Sequence, residues 1–249
     1  MTNALALDLP SIAIKTREDL LLFASKIQIQ QIDTPPGFDA ACVEDIVRVW
    51  DSGNVRTVPA GRATLADTLP PERDALLRDI FKRSLHHYLK TFYAPQIFEQ
   101  CDFQLDVWAV PRYDGRPLAP HNHAEAFVAM VYYPEAIDCS IPSNLFGGAQ
   151  KQYYENQIVV CPPAPPRLEE KFSLHPSMNV GLSPDRGFMI IMPGPMPHFV
   201  TPAARKQRRV SIIGLVSTTP KTASTIEFDP DQKATCASTV LPPTFPPKT

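Results

Sequence analysis

An α+β chain, mainly β, is expected from three observations. Helical periodicity is confined to the first hundred residues. Short β-branched and aromatic runs follow it, separated by proline-rich loops. Prolines, 28 of them, outnumber the 10 glycines in this chain of 249 residues, where average usage gives roughly 12 and 17. Turns therefore rest on rigid proline more than on glycine. Helices first and strands afterwards is the segregated arrangement of an α+β domain.

The helical region is read element by element. Thr16-Arg17-Glu18-Asp19 resembles a capping box with Asp in place of Glu, and predicts a helix over 20–27. Asp39 is placed to cap a second helix, in which Val43, Ile46, Val47 and Trp50 fall on one face. Asp51-Ser52-Gly53 ends it. Pro70-Pro71 opens the third helix, where Glu72 and Asp74 suit the positive N-terminus. Leu76, Leu77, Ile80, Phe81, Leu85, Leu89 and Phe92 form its apolar stripe.

Beyond residue 101 the period falls towards two. Residues 103–110, 126–133, 157–161, 187–192 and 210–216 read as strands, and their spacing predicts an antiparallel sandwich or barrel. From 218 the chain is polar, with Pro242, Pro243, Pro246 and Pro247, and reads as an extended tail. The expected division is a helical support over 1–100, a β core over 101–217 and a tail over 218–249, all in one compact domain.

Composition excludes several functions. Hydrophobic residues make up 44% of the chain, enough for a core and too many for general disorder. The net charge of −2 offers no basic field for a nucleic acid. No apolar run approaches the roughly 18 residues of a membrane span, and no secretory signal is visible. The five cysteines are odd in number and never form CxxC. That is reduced-thiol usage, which predicts a cytoplasmic protein and argues against a cysteine zinc site. Without a Gly-rich loop, nucleotide chemistry is not supported.

The histidines carry more. His86 and His87 lie within the third helix and read as ordinary helix residues. His121-Asn122-His123-Ala124-Glu125 is different. Residues two apart on an extended chain share a side, so His121, His123 and Glu125 can face one point. Imidazole and carboxylate suit a first-row metal. His198 follows Pro193, Pro195 and Pro197 and opens another strand, so stiff segments precede both sets of candidate ligands. Arg209 and Ser211 open the last strand on the same side. A planar guanidinium there suits a small-molecule carboxylate. The plain alternatives are solvated histidines, a turn histidine held by backbone, and a surface arginine in a basic run with Arg205, Lys206 and Arg208.

Together these residues resemble the iron(II)- and 2-oxoglutarate-dependent dioxygenases. Their motif of His-x-Asp/Glu, a distant His, then Arg-x-Ser matches His123-Ala124-Glu125, His198 and Arg209-Val210-Ser211. The resemblance spans about residues 101–216. It implies a double-stranded β-helix (jelly roll) supported by N-terminal helices, with Fe(II), 2-oxoglutarate and O₂ as cofactor and cosubstrates. His123, Glu125 and His198 would be the catalytic metal ligands, leaving the site at a charge of about +1. Some bacterial and phage members instead carry His-x-His before Val-Tyr-Tyr, as in His121-Asn122-His123 and Val131-Tyr132-Tyr133. His121 is then the alternative ligand; otherwise it faces substrate. Arg209, Ser211 and Tyr132 (or Tyr133) would hold the cosubstrate. The implied reaction hydroxylates, desaturates or cyclises a small polar, amino-acid-like substrate, releasing succinate and CO₂. Gln104, Asp106, Trp108 and Arg112 are its candidate contacts. A small molecule is the expected partner, with a homodimer also considered, and no nucleic acid or membrane.

Two other readings stand. A cupin would use His121, His123 and His198 without 2-oxoglutarate, and would leave Arg209 unexplained. A non-enzymatic jelly-roll binding module would use the histidines structurally.

Overall fold

The computed structural model describes residues 13–22, 25–53, 63–113, 115–139, 154–161, 179–202 and 208–221. His175, Arg205, Lys206, Cys236 and the proline-rich tail from 222 lie outside the described residues.

The charged segment expected to start a helix is a strand. β1 (Ala13–Leu22) and β2 (Ser25–Asp33) form an antiparallel hairpin over the residues read as helix 20–27. The reason lies outside the segment. β2 also pairs with β9 (Phe188–Pro193), Gln28 opposite Ile191, and this long-range pairing overrides a local helix signal.

The remaining helices follow their periodicity. α1 (Phe38–Asp51) buries Cys42, Val43 and Ile46. It starts two residues earlier than a cap at Asp39 predicts. Gly37 occupies the cap, and Asp39 sits within the first turn, buried. The helix ends into Gly53, whose φ of 68° suits glycine. A short strand β3 (Ala63–Thr64) and one turn α2 (Leu65–Thr68) follow. α3 (Pro71–Phe92) begins on its proline and buries Leu77, Ile80, Phe81, Leu85, Tyr88 and Leu89. α4 (Ile97–Gln100) leads into the β region.

Eight strands then wind between two sheets. β4 (Cys101–Arg112), β6 (Val128–Tyr133), β9 and β11 (Arg209–Pro220) extend the large sheet, ordered β1-β2-β9-β6-β11-β4-β3. β5 (Leu118–His121), β7 (Ile158–Val160), β8 (Val180–Leu182) and β10 (His198–Val200) form the small sheet, ordered β5-β10-β7-β8. Neighbouring strands within each sheet are antiparallel. This is the expected jelly roll.

Strand alternation gives the large sheet two apolar faces. Met130 and Tyr132 of β6, Met189 and Ile191 of β9, and Val210 and Ile212 of β11 pack on α1 and α3 in the main core. Ala129, Val131 and Tyr133, with Ile190 and Met192, face the small sheet in a second core. Full burial of each large side chain contributes about 1.5–3 kcal/mol. Among the described residues, no helix is long and apolar enough to cross a membrane.

Candidate metal centre

Three histidines converge where the small sheet opens. His121 ends β5 and His198 opens β10, directly opposite one another in the antiparallel register. Their ring centres lie 4.3 Å apart. His123 joins them from the loop after β5, its ring centre 5.2 Å from that of His121 and 5.3 Å from that of His198. Ligand atoms of the three residues all fall within 4.8 Å of one another.

Gly194 holds the His123 loop. His123 N–H donates to Gly194 O at 2.8 Å, and Gly194 N–H donates to Phe127 O at 3.1 Å. A Cβ on Gly194 would lie 1.9 Å from Ala126 O and 2.6 Å from His123 O, so the approach requires glycine. The loops bearing His123 and His198 are therefore locked together through backbone.

Backbone carbonyls also select the tautomers. His121 Nδ1 lies 2.9 Å from Ala119 O, and His198 Nδ1 lies 3.0 Å from Met196 O. A proton on each Nδ1 donates to its carbonyl and leaves the Nε2 lone pair for a ligand. His198 is 3% exposed. Burial first, then the neighbouring His121, lower its pKa to about 3, so it remains neutral. Neutral, oriented imidazoles are the chemistry of a divalent first-row metal site, and the donor set fits Fe(II). Three neutral ligands leave the ion its full charge.

Glu125, the expected third ligand, is not in this group. The chain turns immediately after His123, with Ala126 N–H donating to His123 O at 2.8 Å. The side-to-side alternation that would aim Glu125 at His123 holds only for an extended chain. Glu125 is exposed and lines a different cavity with Thr64, Arg78 and Asp106. His121, the alternative candidate, stands with His123 and His198 instead.

The histidines line a cavity of about 290 Å³ between the sheets. Arg209 and Ser211 of β11 share it with Tyr133 of β6 and with Trp108, Val110 and Arg112 of β4. Arg209 is 5% exposed. Burial pushes the Tyr133 hydroxyl up to about 12, while the charge of Arg209 pulls it the other way. Arg208 points elsewhere. It is exposed and donates to Glu135 Oε2 at 2.8 Å, while Glu135 Oε1 accepts from Val210 N–H at 3.2 Å. So Arg209, and not its neighbour in the basic run, enters the cavity.

Other expected contacts divide. Trp108 and Arg112 line the cavity; Gln104 and Asp106 do not. Asp106 lies with Glu125 in the separate cavity. Tyr132 faces the helices, where its hydroxyl donates to Asp39 Oδ1 at 2.7 Å; Tyr133 holds the place expected of it. The apolar wall of Val110, Leu118, Val131, Ile158, Val200 and Ile213 was not anticipated. Alternation from Trp108, Arg112, Arg209, Tyr133 and His198 marks Val110, Ile213, Val131 and Val200; Leu118 and Ile158 carry no such signal. His86 is exposed on α3, against Phe98.

No protein-family model matches the sequence, and no curated protein matches it. Solved structures do resemble the fold. AviO1 from Streptomyces viridochromogenes Tue57 superposes with a TM-score of 0.51 at 13% identity, covering 74% of this chain and 86% of its own. The non-haem α-ketoglutarate-dependent epimerase SnoN from nogalamycin biosynthesis superposes with a TM-score of 0.50 at 12% identity, covering 74% of this chain and 73% of its own. The chain thus shares its fold with a non-haem α-ketoglutarate-dependent epimerase and with AviO1.

Proposed function

We propose that this protein is a non-haem Fe(II), 2-oxoglutarate-dependent oxygenase acting on a small polar molecule. One observation carries the reading. His121, His123 and His198 share a cavity with the buried Arg209 and with Ser211. Metal ligands beside a carboxylate receptor are what a chelating dicarboxylate requires. Similarity to SnoN, described as α-ketoglutarate-dependent, supports the cosubstrate.

His121, His123 and His198 would hold the metal through Nε2. Ala119 and Met196 fix two of the rings by accepting their Nδ1 protons. Arg209 would pair with the distal carboxylate of 2-oxoglutarate, and Ser211, on the same side of β11, would donate a further hydrogen bond. The apolar wall excludes water around them and strengthens these interactions. When bound, iron with 2-oxoglutarate and O₂ supplies oxidation of the substrate coupled to formation of succinate and CO₂. Cys42, Cys101, Cys139 and Cys161 are free thiols, which supports a cytoplasmic setting.

Oxygen uptake by the iron-loaded protein tests the assignment. Uptake and succinate formation should require 2-oxoglutarate and disappear in His198→Ala. The three-histidine set also fits the cupin reading, since those are the ligands it names. Oxygen uptake that requires iron but ignores 2-oxoglutarate would establish that reading instead. A protein without stoichiometric Fe(II) affinity would be a binding module.

A further inference from the structure

The metal cavity is too small for everything the proposed reaction brings together. Its volume is about 290 Å³, and pockets for one small ligand generally start near about 300 Å³. A metal ion and 2-oxoglutarate would fill it. A second hollow, of about 480 Å³, meets it at Trp108, which lines both. The strand register shows how they join. Asp106, Trp108, Val110 and Arg112 alternate along one face of β4, opposite Leu215, Ile213, Ser211 and Arg209 of β11. Val110, Arg112, Ser211 and Arg209 belong to the metal cavity, and Asp106 and Leu215 to the second hollow. The two hollows are consecutive stretches of one sheet face, and Trp108 is the step between them.

We infer that the substrate lies in the second hollow and carries an ammonium group. Asp106 and Glu125 hold that group, the apolar body rests against Trp108 and Leu215, and the reacting end faces the histidines. This rests on the oxygenase reading above and deepens it. The lining names the charge. Asp106 and Glu125 meet one cation there, Arg78. Arg78 is turned to its own helix, where Nε donates to Asp74 Oδ1 at 2.8 Å. Among the described residues, neither Asp106 nor Glu125 is held in an ion pair. Carboxylates beside an indole are the chemistry of ammonium recognition. A neutral analogue would leave both carboxylates without a counter-charge and bind less tightly. Glu125, two residues from His123, would then serve the substrate rather than the metal.

The test uses the full chain loaded with Zn(II), which binds the same imidazoles without turnover. Calorimetry near pH 7 compares 3-phenylpropylamine, 3-phenylpropanol and 3-phenylpropanoate, with and without saturating 2-oxoglutarate. The three share one apolar body and end in a cation, a neutral group and an anion. The wild-type protein should prefer the amine to either of the others by about fivefold or more, as two partly exposed ion pairs imply. Asp106→Asn and Glu125→Gln should each lower the preference by about twofold. Together they should abolish it, with zinc and 2-oxoglutarate affinities unchanged. Saturating 2-oxoglutarate should leave amine binding intact, because the two occupy different hollows. Equal binding of amine and alcohol to the wild type would overturn the proposal, as would a preference that survives the double variant. Displacement of the amine by 2-oxoglutarate would place it in the metal cavity and also overturn it. So would loss of zinc in Glu125→Gln, which would return that carboxylate to the metal. If 2-oxoglutarate fails to bind but the amine is still selected through Asp106 and Glu125, the ammonium site stands and the cosubstrate reading falls.

Discussion

Tyr132 and Tyr133 are neighbours of identical chemistry on β6, and they serve opposite sides of the large sheet. Tyr132 points towards the helices. Its ring packs edge-on against Phe81, and its hydroxyl ends on the buried carboxylate of Asp39. Tyr133 points between the sheets and lines the cavity with the histidines and Arg209. The helix side is filled by interlocking apolar side chains from α1, α3 and five strands. The other side has a second core at one end and a charged hollow at the other. One side of the sheet is packed throughout; the other leaves a hollow that holds the proposed site, and local packing rules commonly give way at such places.

Substitutions on the two sides should separate these roles. The largest effect is expected on the helix side. Phe81 is fully buried against Tyr132 and Gly214, so Phe81→Ala should cost about 3–5 kcal/mol. Denaturant unfolding measures this, and metal affinity in the folded fraction should change little. On the cavity side the order reverses. His121→Ala or His198→Ala should weaken metal binding more than about 100-fold, beyond the loss for a merely supporting residue, with stability nearly intact. Glu125→Ala should stay within twofold of wild type by equilibrium dialysis. A large loss in Glu125→Ala would restore the carboxylate as a ligand.

The tyrosine pair sharpens the contrast. Tyr132→Phe removes a donor from the buried Asp39 and should cost about 1–3 kcal/mol. Tyr133→Phe should cost less than about 1 kcal/mol and alter cosubstrate affinity instead. The smallest effect is a pH slope. Burial holds the Asp39 carboxyl above its ordinary range, against hydrogen bonds from Thr34 and Tyr132 and the charge of Arg186. A carboxyl with a raised folded pKa keeps its proton longer in the native state. Its contribution is complete below the unfolded value and is lost as pH rises through the folded one. Melting temperatures should therefore fall from pH 4 to 7 for wild type relative to Asp39→Asn.

What the sequence disclosed follows the range of the forces involved. The jelly roll, α1, α3 and the histidines were legible because each rests on a short pattern: helical periodicity, strand alternation, or chemically distinctive residues beside prolines. Glu125 was misplaced because alternation assumes an extended chain, and the turn after His123 has no strong local mark. Its Ala124-Glu125 pair could equally continue a strand. Tyr132 was assigned the face of Tyr133 because β6 is buried on both sides. A strand with no polar residues gives no sign of which face is which. The β1–β2 hairpin was missed because its charges mimic a helix cap, while the pairing that decides it lies with β9, far along the chain.

The register that sets His121 opposite His198 also dictates when the site comes into being. β5 and β10 are separated in the chain by β6, β7, β8 and β9. Their pairing must wait for closure of a long loop, the slow kind of event in β-rich folding. Before closure, local structure offers only His121 and His123. A metal ion is therefore a late arrival rather than a template. It would lengthen the life of the finished fold without hastening its formation. In stopped-flow measurements, added Zn(II) should slow unfolding and leave the refolding rate unchanged; faster refolding would mean that metal gathers the histidines early.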